Sequence, residues 1–146
     1  MKNSKTSFSL LKKKIDIWAP VFVWALFIFS FSSLSTNPVS EIHWKDFIVK
    51  KSAHIVIYAI LTILSYRAFH EGGVGKKDAA LYAMFFAIAY GISDEYHQSF
   101  TVGRDSQSRD VVFDTIGSIG AVVLLWKFLP KVPPKLRKLA RGLRMI

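Results

Sequence analysis

The chain has 146 residues, of which 51% are hydrophobic, with no cysteine and a formal net charge of +10. Its length fits one domain, at the usual figure of about 150 residues per domain. The lack of cysteine excludes disulfides, thiol nucleophiles and thiolate metal sites. A basic chain can bind nucleic acid, but here the lysines and arginines flank long apolar runs and no base-reading motif is present. The composition therefore predicts an integral membrane protein without a nucleic-acid partner.

Four apolar runs predict the fold class, an all-α membrane bundle of four transmembrane helices. A bilayer core about 30 Å thick needs roughly 20 apolar residues in a helix. The first run has no charged residue and places Pro20 in a first helical turn, where proline is tolerated. The second run is short, so its helix must also include Lys50, Lys51 or Phe69. The runs are Ile17–Leu34, Ser52–Tyr66, Ala79–Ile92 and Val111–Leu129.

The flanking segments divide the chain into a basic N-terminus (1–14), a membrane domain (15–130) and a basic C-terminal tail (131–146). A basic segment before an apolar run is also the layout of a signal peptide. The apolar run is longer than the hydrophobic region of a typical signal peptide and ends without a small-x-small cleavage site. Both features favour a retained membrane helix. Leucines and an isoleucine recur at intervals of 3 and 4 within Lys135–Ile146, so the tail is either a short amphipathic helix on the membrane surface or a disordered tail.

The segment Thr36–Lys50 is predicted to be a polar loop that touches the membrane interface. It contains Trp44, a residue type enriched at the interface because its ring is apolar and its N–H is hydrated.

The asymmetric distribution of charge predicts the orientation of the protein in the membrane. With four helices both termini share a side with the 70–78 loop, and that side holds 15 of the 20 lysines and arginines. The positive-inside rule places it in the cytoplasm, so Asp94–Asp114 should face outward.

Charged residues cluster where helices should still lie within hydrocarbon, at a cost of roughly 2.5–3.5 kcal/mol for a charge at the bilayer centre. If the third helix continues through Ser93–Gln98, three sets of residues spaced by 3 and 4 each share a helix face and meet at the outer end of the bundle. Small residues 117, 118, 120 and 121 should let the helix backbones approach closely. The three sets are Lys51, His54 and Tyr58; Gly91, Glu95 and Gln98; and Asp110, Asp114 and Gly117.

This cluster suits several kinds of chemistry. The catalytic candidates are His54, Glu95 and Asp110, because a histidine with two carboxylates can act as a general base with an orienting partner. The same three residue types can bind a divalent metal, but their spacing is no known metal signature, so no metal and no cofactor is predicted. Arg104 and Arg109 can hold a phosphate or carboxylate bidentately. The full set of anion- or substrate-binding candidates is Lys51, Gln98, Arg104, Arg109 and Asp114.

The same residues also have a purely architectural interpretation. Glu95 with Arg104, and Asp110 with Lys51, would then be ion pairs that make buried charge tolerable. His54 would be a hydrogen-bonded packing residue. Several further polar residues are expected to be solvated in the loop, namely Asp94, His97, Asp105, Ser106 and Ser108.

A combination of short motifs carries a family resemblance. They are Asp94–Phe100 (DEYHQSF), Gly103-Arg104, Ser108-Arg109-Asp110 and Ile116-Gly117, with an upstream Lys51-x-x-His54-x-x-x-Tyr58. From about Phe29 to Leu129 the chain resembles the VanZ-like family. The resemblance implies a small multi-pass protein of the bacterial plasma membrane, and the family's named member is linked to low-level resistance to the lipoglycopeptide teicoplanin. It implies signature residues at Lys51, His54, Glu95, Gln98, Arg104 and Asp110, with a departure at Asp114, where the family often has Asn.

Three functions remain open at this point. The first is a non-enzymatic membrane protein that binds membrane lipids or a lipid-linked anionic envelope precursor and alters the action of lipoglycopeptides. The second is a membrane enzyme with His54 as base, Glu95 or Asp110 as orienting group and Arg104 as anion clamp. The third is an ion-coupled transporter that uses intramembrane carboxylates. The sequence leaves open both enzymatic activity and oligomeric state.

Overall fold

The computed structural model describes residues 2–35, 43–104 and 106–128, together with isolated positions between 131 and 142. Within that part the chain is all-α, as predicted, and has no strand. Asp105 and most of the C-terminal tail, including its predicted amphipathic helix, lie outside the described residues. The helices are α1 (Lys2–Ser32), α2 (His43–Glu71), α3 (Lys76–Gln98) and α4 (Arg109–Val123), and a π-helical segment (Leu124–Phe128) continues α4.

In the part of the chain that the structure describes, three helical stretches are long and apolar enough to cross a membrane: Leu10–Ser32, Trp44–Glu71 and Arg109–Phe128. Large apolar side chains cover their outer surfaces, as Phe22, Val23 and Leu26 do on α1. Helix α3 does not meet the same description, because charged residues flank an uncharged stretch of only 15 residues, Ala79–Ser93. The structure therefore supports three of the four predicted spans.

Helix α1 begins much earlier than predicted, at Lys2 instead of Ile17. The basic segment before the apolar run contains several lysines, which are good helix formers, and no glycine or proline. The helix therefore extends through it without a break. As a consequence Pro20 lies inside the helix and not in its first turn, where its missing N–H removes one backbone hydrogen bond.

Helix α2 also begins earlier than predicted, at His43. Residues 43–50, predicted as part of a polar loop, form its first two turns, and Asp46 and Lys50 make an ion pair of 2.8 Å one turn apart. Such pairs support a helix surface. Trp44 is exposed on these turns, as an interfacial residue would be. The helix reaches beyond Phe69, which confirms that the short second run had to be extended.

Helix α2 packs against all three other helices, and its interface with α4 is the most extensive. The extension of α3 through Gln98 is confirmed. Small alanines on α3 let it pack closely, and two apolar clusters fill the interior. One contains Ile17, Val21, Ile28, Tyr58, Leu61, Ala68 and Ala87, and the other contains Tyr66, Ala79, Ala80, Ala83 and Leu125.

The close approach predicted for α4 depends on Gly117. A Cβ atom at this position would lie 2.2 Å from the carbonyl oxygen of Ile55 on α2. Ser118 and Ala121 are also buried on α4. The prediction is wrong for Gly120, which has nothing within 4 Å of a Cβ position. At about 100° per residue, position 120 falls outside the arc that faces α2.

Replacing Gly117 with alanine should therefore destabilise the bundle, since the new methyl group would push α2 and α4 apart. Overpacking of this kind typically costs about 1–3 kcal/mol, and occasionally more. The matched control is Gly120→Ala, which should be neutral or stabilising because alanine is the better helix former. Unfolding of both variants in mixed detergent micelles measures the difference, and equal stability of the two would contradict the packing described here.

Candidate functional site

The C-terminal ends of α1 and α3 and the N-terminal parts of α2 and α4 meet at one end of the bundle, called here the polar end. The helices run alternately up and down, so these four ends must lie together. Their interior is lined with buried polar side chains, each 9% exposed or less. They are Ser32, Lys51, Asp94, Glu95, Gln98, Asp110 and Asp114.

A buried ion pair joins α2 to α4 at the polar end. The Lys51 ammonium group donates a hydrogen bond to Oδ1 of Asp110, as predicted for this pair. The same ammonium group lies 5.6 Å from the centre of the Phe47 ring and 5.9 Å from that of Phe113. Cation–π attraction adds to the compensation of a charge that has left water. The pair fixes the register between the two helices.

His54 lies one turn after Lys51 and contacts two carboxylates of α4. Its Nδ1 is 2.9 Å from Oδ1 of Asp114, and its Nε2 is 3.7 Å from Oδ2 of Asp110. The carboxylate closest to His54 is therefore that of Asp114. The sequence had instead predicted Glu95 or Asp110 as the orienting group. Gly91 leaves room for this pair, because a Cβ there would lie 2.9 Å from Oδ2 of Asp114.

Glu95 anchors the loop between α3 and α4. Its Oε2 accepts hydrogen bonds from the Ser106 hydroxyl at 3.0 Å and from the Gln107 backbone N–H at 2.9 Å. Its Oε1 is buried and has no hydrogen-bond partner among the described residues. The predicted ion pair between Glu95 and Arg104 is absent, although both side chains belong to the described structure.

Arg104 caps the end of α1 instead. Its Nε donates to the Leu34 carbonyl at 2.8 Å, and a second guanidinium nitrogen donates to the Phe31 carbonyl. The Phe31 carbonyl also accepts from the Leu34 backbone N–H at 3.2 Å, and Leu34 lies just after the last residue of α1. The two bonds from Arg104 therefore tie the loop after α3 to the end of α1. Gly103, with φ of 81°, turns the loop toward α1. Burial lowers the pKa of the Arg104 guanidinium, but arginine remains protonated at neutral pH.

Arg109, the other predicted anion-binding arginine, has different surroundings. It is exposed at the start of α4, and its guanidinium lies 5.5 Å from the centre of the Phe47 ring. The structure therefore does not bring Arg104 and Arg109 together as one clamp. Each is placed by its own local contact, a helix end in one case and an aromatic ring in the other.

A small cavity of about 70 Å³ opens between α1, α2 and α3 at the polar end. Three buried polar atoms of its lining residues have no hydrogen-bond partner within the described chain: Ser32 Oγ, Tyr58 OH and Asp94 Oδ1. Unsatisfied buried groups are rare in proteins, and a polar space of this size can hold waters or the end of a polar ligand. The lining residues are Ile28, Phe31, Ser32, His54, Ile57, Tyr58, Asp94, Gln98 and Arg104.

The comparison with protein families settles the resemblance carried by these residues. The model of the VanZ/LLP1 family matches residues 4–129. The chain belongs to the VanZ/LLP1 family. Neither the comparison with curated proteins nor that with solved structures found a match. Together with the three apolar spans, membership fits a VanZ-like membrane protein, and the matched region contains the whole polar end.

The structure of this VanZ/LLP1 chain corrects the interpretation of several polar residues. Asp94 was expected in solvent but is buried on α3, where the Gln98 side chain donates to it at 2.8 Å. Ser106 and His97 are also engaged, with Glu95 and with the Ser33 hydroxyl respectively. The spacing of four residues between Asp94 and Gln98 could have predicted this contact, because α3 continues without a break to residue 98 and the two side chains share a helix face. Ser32 gave no such signal, since it is one of four serines between residues 30 and 35.

Removing one partner of the Lys51–Asp110 pair should be costly. A lone buried charge typically costs about 3–5 kcal/mol of stability, so Lys51→Met should strongly destabilise this VanZ/LLP1 protein. The double variant Lys51→Met/Asp110→Leu should recover most of that loss, because no charge is left uncompensated. Lys50→Met, which breaks only the surface pair with Asp46, should cost less than about 1 kcal/mol. Unfolding in mixed micelles that gave Lys50→Met and Lys51→Met the same stability would refute the buried pair.

Proposed function

We propose that this VanZ/LLP1 protein crosses the bacterial plasma membrane with four helices and binds a polar head group at its outer face. The ligand is a lipid or a lipid-linked anionic component of the envelope, and its head group enters the cavity at the polar end. The observation that carries the proposal is the set of three unsatisfied buried atoms of the cavity lining, on Ser32, Tyr58 and Asp94. A purely architectural polar cluster would satisfy its own hydrogen bonds.

The proposed topology rests on length and charge. Helix α3 has 23 residues, which gives about 35 Å at 1.5 Å per residue, enough for a hydrocarbon core of about 30 Å. Its charged residues lie near its two ends, with Asp94 and Glu95 buried against the other helices. With four spans, both termini lie on the side that holds 15 of the 20 lysines and arginines. That side is cytoplasmic by the positive-inside rule, so the polar end faces outward.

The lining of the cavity suits a head group with both negative charge and hydrogen-bond donors. Among the described lining residues, Arg104 alone carries a fixed positive charge, which favours a phosphate or carboxylate. Asp94 carries an unsatisfied acceptor, which favours a hydroxyl or amine. The volume of about 70 Å³ admits the tip of a head group and not a whole disaccharide. Binding of this kind would change how lipoglycopeptides meet the outer surface.

A pair of tyrosine variants separates ligand binding from folding. Tyr58→Phe removes a hydroxyl that has no partner in the described structure, so stability should be unchanged or higher, while retention of a polyprenyl phosphate or phosphatidylglycerol should fall about three- to tenfold, the value of one hydrogen bond. Tyr90→Phe removes a hydroxyl that donates to the Ala25 carbonyl at 2.6 Å. It should cost about 1 kcal/mol of stability with no change in lipid retention.

Native mass spectrometry of the detergent-purified protein with each lipid, beside thermal unfolding, measures both effects. Equal lipid retention by wild type and Tyr58→Phe would refute head-group binding in this cavity. The resistance part is tested separately in cells. Teicoplanin susceptibility that stays the same on both deletion and overexpression would exclude that part and leave the binding proposal standing.

A membrane-embedded enzyme is the second candidate, favoured by the His54–Asp114 contact. A carboxylate at 2.9 Å from Nδ1 fixes the tautomer of the ring, and His54 also lines the cavity, where its ring can meet a substrate. For this candidate His54→Ala and Glu95→Gln should abolish the cellular phenotype while the protein still accumulates in the membrane. Full phenotype in both variants, at wild-type protein levels, would eliminate it.

A further inference from the structure

Three side chains at the polar end converge from three different helices. His54 of α2, Glu95 of α3 and Asp110 of α4 each offer a ligand atom, and the three atoms lie within 4.8 Å of one another. We propose that these residues, called here the metal triad, bind one divalent transition-metal ion. Of the three, His54 lines the cavity and Glu95 and Asp110 do not, so titration with metal ions tests the metal triad separately from lipid binding.

Each member of the metal triad is held by a separate partner on its other polar atom. Nδ1 of His54 meets Asp114, and Oδ1 of Asp110 accepts from Lys51. Oε2 of Glu95 accepts from the loop. This leaves Nε2 of the histidine and one oxygen of each carboxylate for a shared ligand. Metal sites show the same arrangement, in which outer partners orient each ligand and fix the histidine tautomer.

The free oxygen of Glu95 gives an independent reason for a cation. Glu95 is only 6% exposed, and its Oε1 has no hydrogen-bond partner in the described structure. Burying a charged oxygen without a donor or counter-ion is unfavourable, whereas coordination to a metal removes that penalty. The hydrogen bonds that this carboxylate accepts from described residues, from the 106–107 loop segment, go to its opposite oxygen.

The excess of negative charge among the buried residues of the polar end also favours a bound cation. Four buried carboxylates lie at the polar end, and Lys51 is the one buried lysine or arginine among the described residues there. A divalent ion would offset two of the remaining negative charges. The four carboxylates are those of Asp94, Glu95, Asp110 and Asp114.

The ligand set favours Zn²⁺ or Mn²⁺. Imidazole suits zinc and iron, carboxylates suit harder ions such as manganese, and no thiolate is available in a chain without cysteine. Three protein ligands leave at least one coordination position for water or a substrate, as in catalytic zinc sites. The sequence analysis considered these three residues as metal ligands but predicted no metal, because they lie 41 and 15 residues apart on three helices and form no local spacing pattern.

Calorimetric titration of the tag-free, chelator-treated protein with Zn²⁺ and, separately, with Mn²⁺ tests the proposal. Wild type should bind one equivalent of at least one of these ions. Glu95→Gln should weaken binding at least tenfold, and it should still fold, because the amide oxygen can accept the bonds from Ser106 and Gln107. His54→Gln should act in the same way. Asp46→Asn, on the surface of α2 beside Lys50, is the matched control and should bind like wild type.

Two results would overturn the metal triad. One is wild-type protein that binds neither ion, a measurement that does not depend on any variant folding. The other is full affinity in folded Glu95→Gln and His54→Gln, which would place the ion elsewhere. A thermal unfolding scan adds a second readout, since an ion that binds only the native state must raise the unfolding temperature of wild type and of Asp46→Asn.

Discussion

The buried bond between Lys51 and Asp110 is the interaction on which the arrangement of the polar end depends. It joins the two helices with the most extensive interface, α2 and α4, at a level where neither charge is well exposed to water. One turn further along, the His54–Asp114 contact repeats the link between the same helices. Because both links use residues spaced by three or four, only one rotation of each helix satisfies them together. Gly117 then allows the two backbones to close on each other below the links.

The polar residues above these links divide into two groups. In the first, every group has a protein partner, as Arg104 has in the end of α1 and Oε2 of Glu95 has in the following loop. These contacts explain how charge is tolerated inside an apolar bundle. In the second group, atoms of Ser32, Tyr58 and Asp94 are buried and have no such partner among the described residues. The proposed head group would supply hydrogen-bond partners to this second group.

Much of the polar end could be predicted from helical spacing. Spacings of three and four residues, on helices that pack side by side, predicted that Lys51, His54 and Asp110 lie close together. The structure brings them together. Asp114 was also predicted on the face of α4 that lines the polar end. Its contact with His54 could not be predicted, because it depends on how α2 is rotated against α4, which residue spacing does not specify. The family was recognisable because several short motifs occurred in one order, and the match over residues 4–129 confirms it.

The errors have physical reasons. Helix ends were misplaced at Lys2 and His43, because lysine-rich and mixed segments can form helix where apolar periodicity ends. The Glu95–Arg104 pair was inferred from opposite charge, but the Phe31 and Leu34 carbonyls at and just after the end of α1 offered the arginine two acceptors in fixed positions. Asp94 was assigned to the solvated loop, although the extension of α3 that places Glu95 and Gln98 on a helix face also places Asp94 on that helix.

If the unsatisfied buried atoms at the polar end belong to a ligand site, an experimental structure of the protein in lipid should show the ligand, at a resolution that shows ordered water. We expect non-protein density larger than a water molecule within hydrogen-bond distance of the Tyr58 hydroxyl and the Asp94 carboxylate, at about 2.7–3.2 Å. A polar end in which protein side chains satisfy both groups, with no further density in the cavity, would contradict it.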